Sequence, residues 1–431
     1  MVLLQSVFRY LNEIVNCTLG GIIILTPAPR IEKFEKMGFG MFVHWGLYSQ
    51  LGMGEWTYHM HKRKMEDYKK LMDTFTAEDF DAEEMVLTAK SAGCKYITLT
   101  TRHHEGFSLY DTQGLNDYDA PHSAAKRDLV REFVDACNKH DIVPFFYHTT
   151  LDWFNPDFNN NFDAYQEYLR KSVEILCTNY GKIGGLWFDG DWSKPGHVWQ
   201  RDELYGLIRR LQPEAMIINN TGLSARGEIC HPEVDSVTFE QGRPTVMNRS
   251  NMTKYIAAEM CYTLNDHWAC AKCDFNYKSP AELIECLCDC RKVGANLLLN
   301  IGPTAQGGII PLQRELMRTV GDWMKIFGEA IYEGKPYEYC GIGKYAVLKG
   351  DGCLYLFAYN IGQERNKHVV VGGKYSGPYA FSGIKDTVRS IHWLDNDEEL
   401  KFMQDGENLT VDFTGCSYGY NYCVRVAKAI L

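Results

Sequence analysis

From about residue 38 to residue 331 the chain alternates short apolar runs, each a strand's length, with longer segments whose apolar residues recur at helical spacing. Such runs read as strands buried on both faces, and a helix between successive runs requires the strands to lie parallel. The runs fall at 40–44, 95–101, 142–149, 185–189, 216–219, 235–240, 255–260 and 295–300. Helical spacing covers 77–93, 128–140, a long segment through Tyr165, Leu169, Val173 and Leu176, then 202–211, 280–293 and 311–331. Loops rather than long helices join some of the later runs. Eight strands in this order predict a (β/α)8-like, TIM-type barrel, with its chemistry at the C-terminal ends of the strands.

Beyond Lys335 the texture changes to alternating runs such as 353–359 and 422–426, separated by Gly, Asn and Asp. This pattern predicts a C-terminal antiparallel β-sandwich. The expected division is a leader over 1–30, a catalytic barrel over 31–335 and the sandwich over 336–431.

Charge narrows the partners. Forty-five Lys and Arg against 55 Asp and Glu leave a formal charge of −10, which repels phosphate backbones and anionic lipid, so neither nucleic acid nor a membrane surface is expected. Aromatic residues make up 13% of the chain, and flat apolar faces with polar edges suit sugar rings. The 15 cysteines leave at least one unpaired and fit a reducing compartment. The apolar stretch at 20–25 is too short to span a bilayer, and Arg9 and Glu13 interrupt the apolar run of a secretory signal. The expected location is the cytoplasm; the alternative is a secreted or lysosome-like protein with residues 1–27 acting as a signal. Self-association into a homo-oligomer is left open.

Asp189 ends the fourth run, within Gly185-Leu186-Trp187-Phe188-Asp189-Gly190. A carboxylate at a barrel strand end between aromatics is a candidate nucleophile; the competing reading is a strand-end cap or a salt-bridge partner. Breaking a glycosidic bond needs a second, protonated carboxyl. Glu240 at the end of the sixth run and Glu259 near the end of the seventh compete for that role, each beside apolar residues that raise a carboxyl pKa. Glu240 is preferred because it terminates its run and leads into a Gly-containing loop.

His44, His103, His104 and His148 fall at the ends of the first three runs, where imidazoles can hydrogen-bond ring hydroxyls. A metal site is disfavoured, because adjacent His103 and His104 point to opposite sides of a regular strand. His59 and His61 stand among charged residues. Cys270 and Cys273, with Cys286, Cys288 and Cys290, invite a zinc reading, but Cys286 and Cys290 share a helix face that Cys288 does not. Unbound thiols are expected, and neither a metal nor a cofactor.

Several motifs occur in order: Met41-Phe42-Val43-His44-Trp45-Gly46, Gly54-Glu55-Trp56, Arg102-His103-His104-Glu105-Gly106-Phe107, Trp187-Phe188-Asp189-Gly190, Asn300-Ile301-Gly302-Pro303 and Gly328-Glu329-Ala330-Ile331-Tyr332. As a set spanning about 36–336, they resemble glycoside hydrolase family 29, the α-L-fucosidases. The resemblance implies a barrel with a C-terminal β-sandwich and a metal-free double displacement on a fucosylated oligosaccharide or glycoconjugate. It places Asp189 on the nucleophile and Glu240 where many members carry the acid/base. It matches His44, His103 and His104 to fucose-binding histidines, and Glu55, Trp56, His148 and Trp187 to further pocket residues. Many members follow the Asn of strand 5 with an Arg that supports the sugar. Here Asn219-Asn220-Thr221 has none, and Arg226 is the candidate substitute. The Asp266-His267-Trp268-Ala269-Cys270 segment also departs from the usual pattern.

Overall fold

The computed structural model describes residues 18–19, 22–23, 25–247, 249, 252–337, 345–363, 368–369 and 377–431. Of the expected leader over 1–30, the described part is residues 18–19 and 22–23, where Thr18–Leu19 pairs antiparallel with Ile22–Ile23, and residues 25–30, whose last two open the first helix. Eight parallel strands close a barrel: β1 Phe39–Val43, β2 Tyr96–Arg102, β3 Val143–Thr149, β4 Gly185–Asp189, β5 Met216–Asn220, β6 Ser236–Thr238, β7 Ala257–Thr263 and β8 Ala295–Ile301. Closure comes from β8 pairing with β1, Leu297 opposite Phe39. The helices are α1 Pro29–Met37, α2 Ala82–Ala92, α3 Leu129–Lys139, α4 Phe162–Asn179, α5 Arg201–Leu211, α6 Pro280–Lys292 and α7 Pro311–Glu333, with shorter turns between them.

Local chemistry explains the boundaries. The spacing predicts a helix from residue 77, yet α2 begins at Ala82. Ala77 sits at φ +50°, and the Asp81 side chain accepts the Glu83 and Glu84 N–H groups as an N-cap. Strand β6 is shorter than the run at 235–240, and its backbone register with β5 pairs Ile218 with Ser236. Glu240 therefore stands two residues past its strand rather than at its end. Gly190, at φ +109°, turns the chain directly after Asp189, where a Cβ would lie 2.7 Å from the Leu151 nitrogen.

Beyond the barrel, β9 Lys335–Pro336, β10 Tyr345–Gly350, β11 Cys353–Tyr359, β12 Gly377–Phe381, β13 Ser390–Trp393, β14 Phe402–Asp405, β15 Asn408–Phe413 and β16 Val424–Ile430 form two antiparallel sheets, ordered β9-β10-β11-β16-β13 and β12-β15-β14. Leu354, Leu356, Trp393, Val411 and Phe413 fill one core between them, which makes this the β-sandwich. The outer face of the larger sheet packs on α6 and α7, where Trp323 Nε1–H donates to the Val424 carbonyl at 2.8 Å. Among the described residues no helix is long and apolar enough to cross a membrane.

Helix α1 seals the lower, N-terminal end of the barrel. Phe34 packs on Tyr96 and Phe145, and Asn296 Nδ2–H donates to the Phe34 carbonyl at 2.7 Å. Fully buried Asp235 gathers three cations there: Arg30 at 3.1 Å, Arg209 at 2.5 Å and Lys254 at 2.9 Å. Burial alone would raise its pKa, but the cations outweigh burial and hold it below the ordinary carboxylate value. Asp235→Ala would take the shared carboxylate from three cations; because each keeps some solvent, the expected loss is about 3 kcal/mol, the lower end for a broken buried pair. Urea unfolding measures it, and a loss under about 1 kcal/mol would mean the cluster contributes no more than surface pairs do.

Candidate active site

A cavity of about 450 Å³ opens at the C-terminal ends of the strands, lined by Phe42, His44, Glu55, Trp56, His103, His104, Tyr147, Trp187, Asp189, Trp192, Asn220, Gly222, Leu223, Ser224, Glu240 and Trp268. Its floor is aromatic. Trp187 stacks on Tyr147 with centroids 5.6 Å apart, and Phe42 meets Trp187 edge-on.

Of the three carboxyls that line this space, Asp189 and Glu240 stand in different environments. Asp189 accepts three hydrogen bonds: from Tyr147 Oη–H at 3.0 Å, Trp192 Nε1–H at 2.8 Å and Asn220 Nδ2–H at 3.2 Å. Burial raises its pKa, and these donors oppose the rise by stabilising the charged form. Glu240 has one such donor, Asn220 Nδ2–H at 2.8 Å. Burial and then the charge of Asp189 push Glu240 up to about 7. Asp189 therefore ionises first and Glu240 keeps the proton. Asn220 reaches both groups because β5 pairs it beside Asp189. Since one nitrogen makes both bonds, Asp189 Oδ1 and Glu240 Oε2 cannot be farther apart than 3.2 and 2.8 Å laid end to end, about 6.0 Å.

Partner atoms set the proton positions on two histidines. Asn300 Nδ2–H donates to the Trp268 carbonyl, which leaves Asn300 Oδ1 to accept from His44 Nδ1–H at 2.6 Å. The Thr149 hydroxyl donates to the Leu151 carbonyl, so its oxygen accepts from His104 Nδ1–H at 2.7 Å. Burial, then the neighbouring His103, lowers the pKa of His44 and His104 well below the ordinary value. Both rings are neutral with the proton on Nδ1, and His104 Nε2 lies 3.5 Å from Asp189 Oδ2. His103 Nδ1 lies 3.5 Å from Glu105 Oε2.

The other sequence-expected residues divide. Glu55 lines the cavity and accepts the Ala269 N–H at 3.0 Å; Trp56 lines it, stacked on Trp192. His103 and His104 do not point to opposite sides: both line the cavity, 4.2 Å between ring centroids. A register shift between Thr100 and Arg102 bulges β2, and the strand ends before them. His148 lies outside, on the outer face of β3, bonded to Ser172 Oγ at 2.7 Å, with burial pushing its pKa down to about 3. Its neighbour Tyr147 takes the inward position. Arg226 is exposed and bonds the Glu240 carbonyl at 2.5 Å without lining the cavity. Glu259 is buried beneath the floor. Tyr147, Trp192, Asn220 and Trp268 were missed; the inward phase of β3 and β5 is the signal that finds Tyr147 and Asn220.

The thiols of Cys286 and Cys290 pack on Met260 Sδ at 3.6 and 3.8 Å, while Cys273 is exposed. Among the described residues no group of three or more His, Cys, Asp or Glu side chains is placed to hold a metal ion.

An ionised and a protonated carboxyl across a sugar-sized cavity, at the strand ends of a (β/α)8 barrel, define a glycoside hydrolase. The profile of the family described as Alpha-L-fucosidase matches residues 25–329, and the chain belongs to that family. Mouse tissue alpha-L-fucosidase is 30% identical over 341 residues, covering 73% of this chain and 74% of its own length. Alpha-L-fucosidase isoenzyme 1 from Paenibacillus thiaminolyticus superposes with a TM-score of 0.82 at 31% identity, over 94% of this chain and 99% of that one. In fold the chain also matches a GH29 alpha-L-fucosidase from Bacteroides thetaiotaomicron, a trapped covalent intermediate in complex with 2-fluoro-fucosyl fluoride (TM-score 0.79, 24% identity, 96% and 98% covered). The enzyme is an α-L-fucosidase.

Proposed function

We propose that the enzyme releases terminal α-L-fucose from fucosylated oligosaccharides or glycoconjugates by retaining double displacement, with Asp189 as nucleophile and Glu240 as acid/base. The observation that carries this reading is the shared Asn220. The shared donor holds Asp189 Oδ1 and Glu240 Oε2 within about 6.0 Å of each other, which favours the close carboxyl groups of retaining enzymes, roughly 5–5.5 Å apart, over the roughly 6.5–9.5 Å of inverting ones. The trapped intermediate of the Bacteroides relative is of the same kind.

His44 and His104 accept hydrogen bonds from sugar hydroxyls through Nε2, while Trp56 and Trp187 cover the apolar patches and the C6 methyl. Asp189 attacks C1 as Glu240 gives its proton to the glycosidic oxygen; the C1–O bond breaks and the aglycone leaves as an alcohol. Glu240, now a carboxylate, takes a proton from water. The resulting hydroxide character at the water oxygen closes a new bond to C1, and Asp189 departs as the carboxylate. Proton NMR of a fresh reaction should show α-L-fucose first, with the β anomer appearing only by mutarotation. Initial β-L-fucose would overturn retention.

A further inference from the structure

A further carboxyl lies directly below the cavity and takes no part in this scheme. Glu259, on β7, is fully buried. Tyr96 Oη–H, from β2, donates to Oε2 at 2.5 Å, and Trp187 Nε1–H, from β4, donates to Oε1 at 2.9 Å. Cys261, on β7 itself, is a titratable neighbour, and the adjoining β8 presents the uncharged Asn296 in register with Glu259; the buried Arg291 of α6 is directed to Asn296 Oδ1 at 3.0 Å. Among the described residues no Lys, Arg or His forms an ion pair with it. Trp187 is the residue through which this carboxyl meets the site: the indole forms the cavity floor and stacks on Tyr147, whose hydroxyl donates to Asp189.

We propose that Glu259 is a positioning residue that acts through Trp187, pinning the indole edge between the barrel strands so that its face floors the fucose cavity and its stack aims Tyr147 at Asp189. It does so as the neutral acid. An ionised carboxylate here would sit without a counter-cation, and burial pushes Glu259 up to about 7 even though both hydrogen bonds favour the ion. The neutral acid keeps both contacts. Oε1 remains a carbonyl oxygen that accepts from Trp187, and in the short contact the direction reverses: Oε2–H donates and Tyr96 Oη accepts. No further negative charge is then added beneath Asp189 and Glu240.

A glutamine reproduces this neutral acid, its carbonyl accepting from Trp187 and its NH₂ donating to Tyr96. A leucine of similar volume offers neither bond. With the full chain and an aryl α-L-fucoside at pH 6, Glu259→Leu is expected to raise KM and lower kcat, costing about tenfold to a hundredfold in kcat/KM through misplacement of the floor. Glu259→Gln should recover all but about threefold of that loss. If glutamine is as damaging as leucine on slow leaving groups but harmless on dinitrophenyl fucoside, Glu259 is the proton donor and the inference is wrong. It is equally wrong if leucine leaves both constants unchanged.

A second readout does not need the leucine variant to fold. The carboxyl's pKa is raised in the folded state from the 4.5 of an ordinary glutamate, so the proton's contribution to stability is fully present below about 4.5 and is lost as pH rises through about 7. Relative to Glu259→Gln, the wild type should lose thermal midpoint across that window; parallel curves would overturn the neutral-acid assignment. The inference rests on the hydrolysis reading for its kinetics. Wild-type turnover of the aryl fucoside tests that reading, and the ratios among variants test this one.

Discussion

Replacing Asp189 with glycine should cut kcat for an aryl α-L-fucoside by about 10⁴-fold or more, the scale on which deleting a covalent nucleophile acts. The size follows from what the residue faces. Three donors converge on its carboxylate, from Tyr147, Trp192 and Asn220, and in the variant they point into a vacated space on the sugar's far side. Added azide fits that space and attacks C1 from the face the carboxylate used. It should therefore restore turnover and yield β-L-fucosyl azide, with one inversion. Residual activity above about one per cent, or an α-configured azide, would remove Asp189 from the nucleophile's role.

Glu240→Ala should cost about 10²- to 10⁴-fold in kcat/KM on fucosides whose leaving oxygen needs a proton. It should cost far less on a dinitrophenyl fucoside, whose leaving group departs as a stable anion. The pH dependence carries a definite sign. Glu240 must be protonated to donate, and burial with the nearby Asp189 charge sets it at about 7. Thus kcat/KM falls as pH rises through about 7, and the alanine variant lacks that alkaline limb. A limb that survives with its midpoint unchanged would belong to another group, and Glu259, also pushed up to about 7, would be that group.

The barrel is legible in the sequence because its strands are buried on both faces. The run at 185–189 coincides with β4, and the other runs fall within a few residues of their strands. Side-chain direction at the strand ends is less legible. His148 looks like a pocket residue by position, but alternation along β3 gives the inward place to Tyr147 and turns His148 onto Ser172. His103 and His104 look divergent by the same rule, yet a bulge in β2 and the strand's end bring both inward. Glu240 and Glu259 look alike as carboxyls among apolar neighbours; what separates them is depth, fixed by how β6 stops early and β7 continues. Asn220, next to an identical Asn219, could be identified as the bridging residue only through the register that sets it beside Asp189.

The helix that seals the barrel floor also sets an order of events during synthesis. Helix α1 leaves the ribosome before every barrel strand, but the surface it docks on includes Asp235 and Asn296. Roughly 270 residues must follow Arg30 before that surface exists, on the order of tens of seconds at about 5–20 residues per second. Through that interval β1 has no β8 to pair with, so the nascent chain carries an open apolar sheet edge. The fold therefore places a demand for protection on the chain during translation, until β8 closes the barrel.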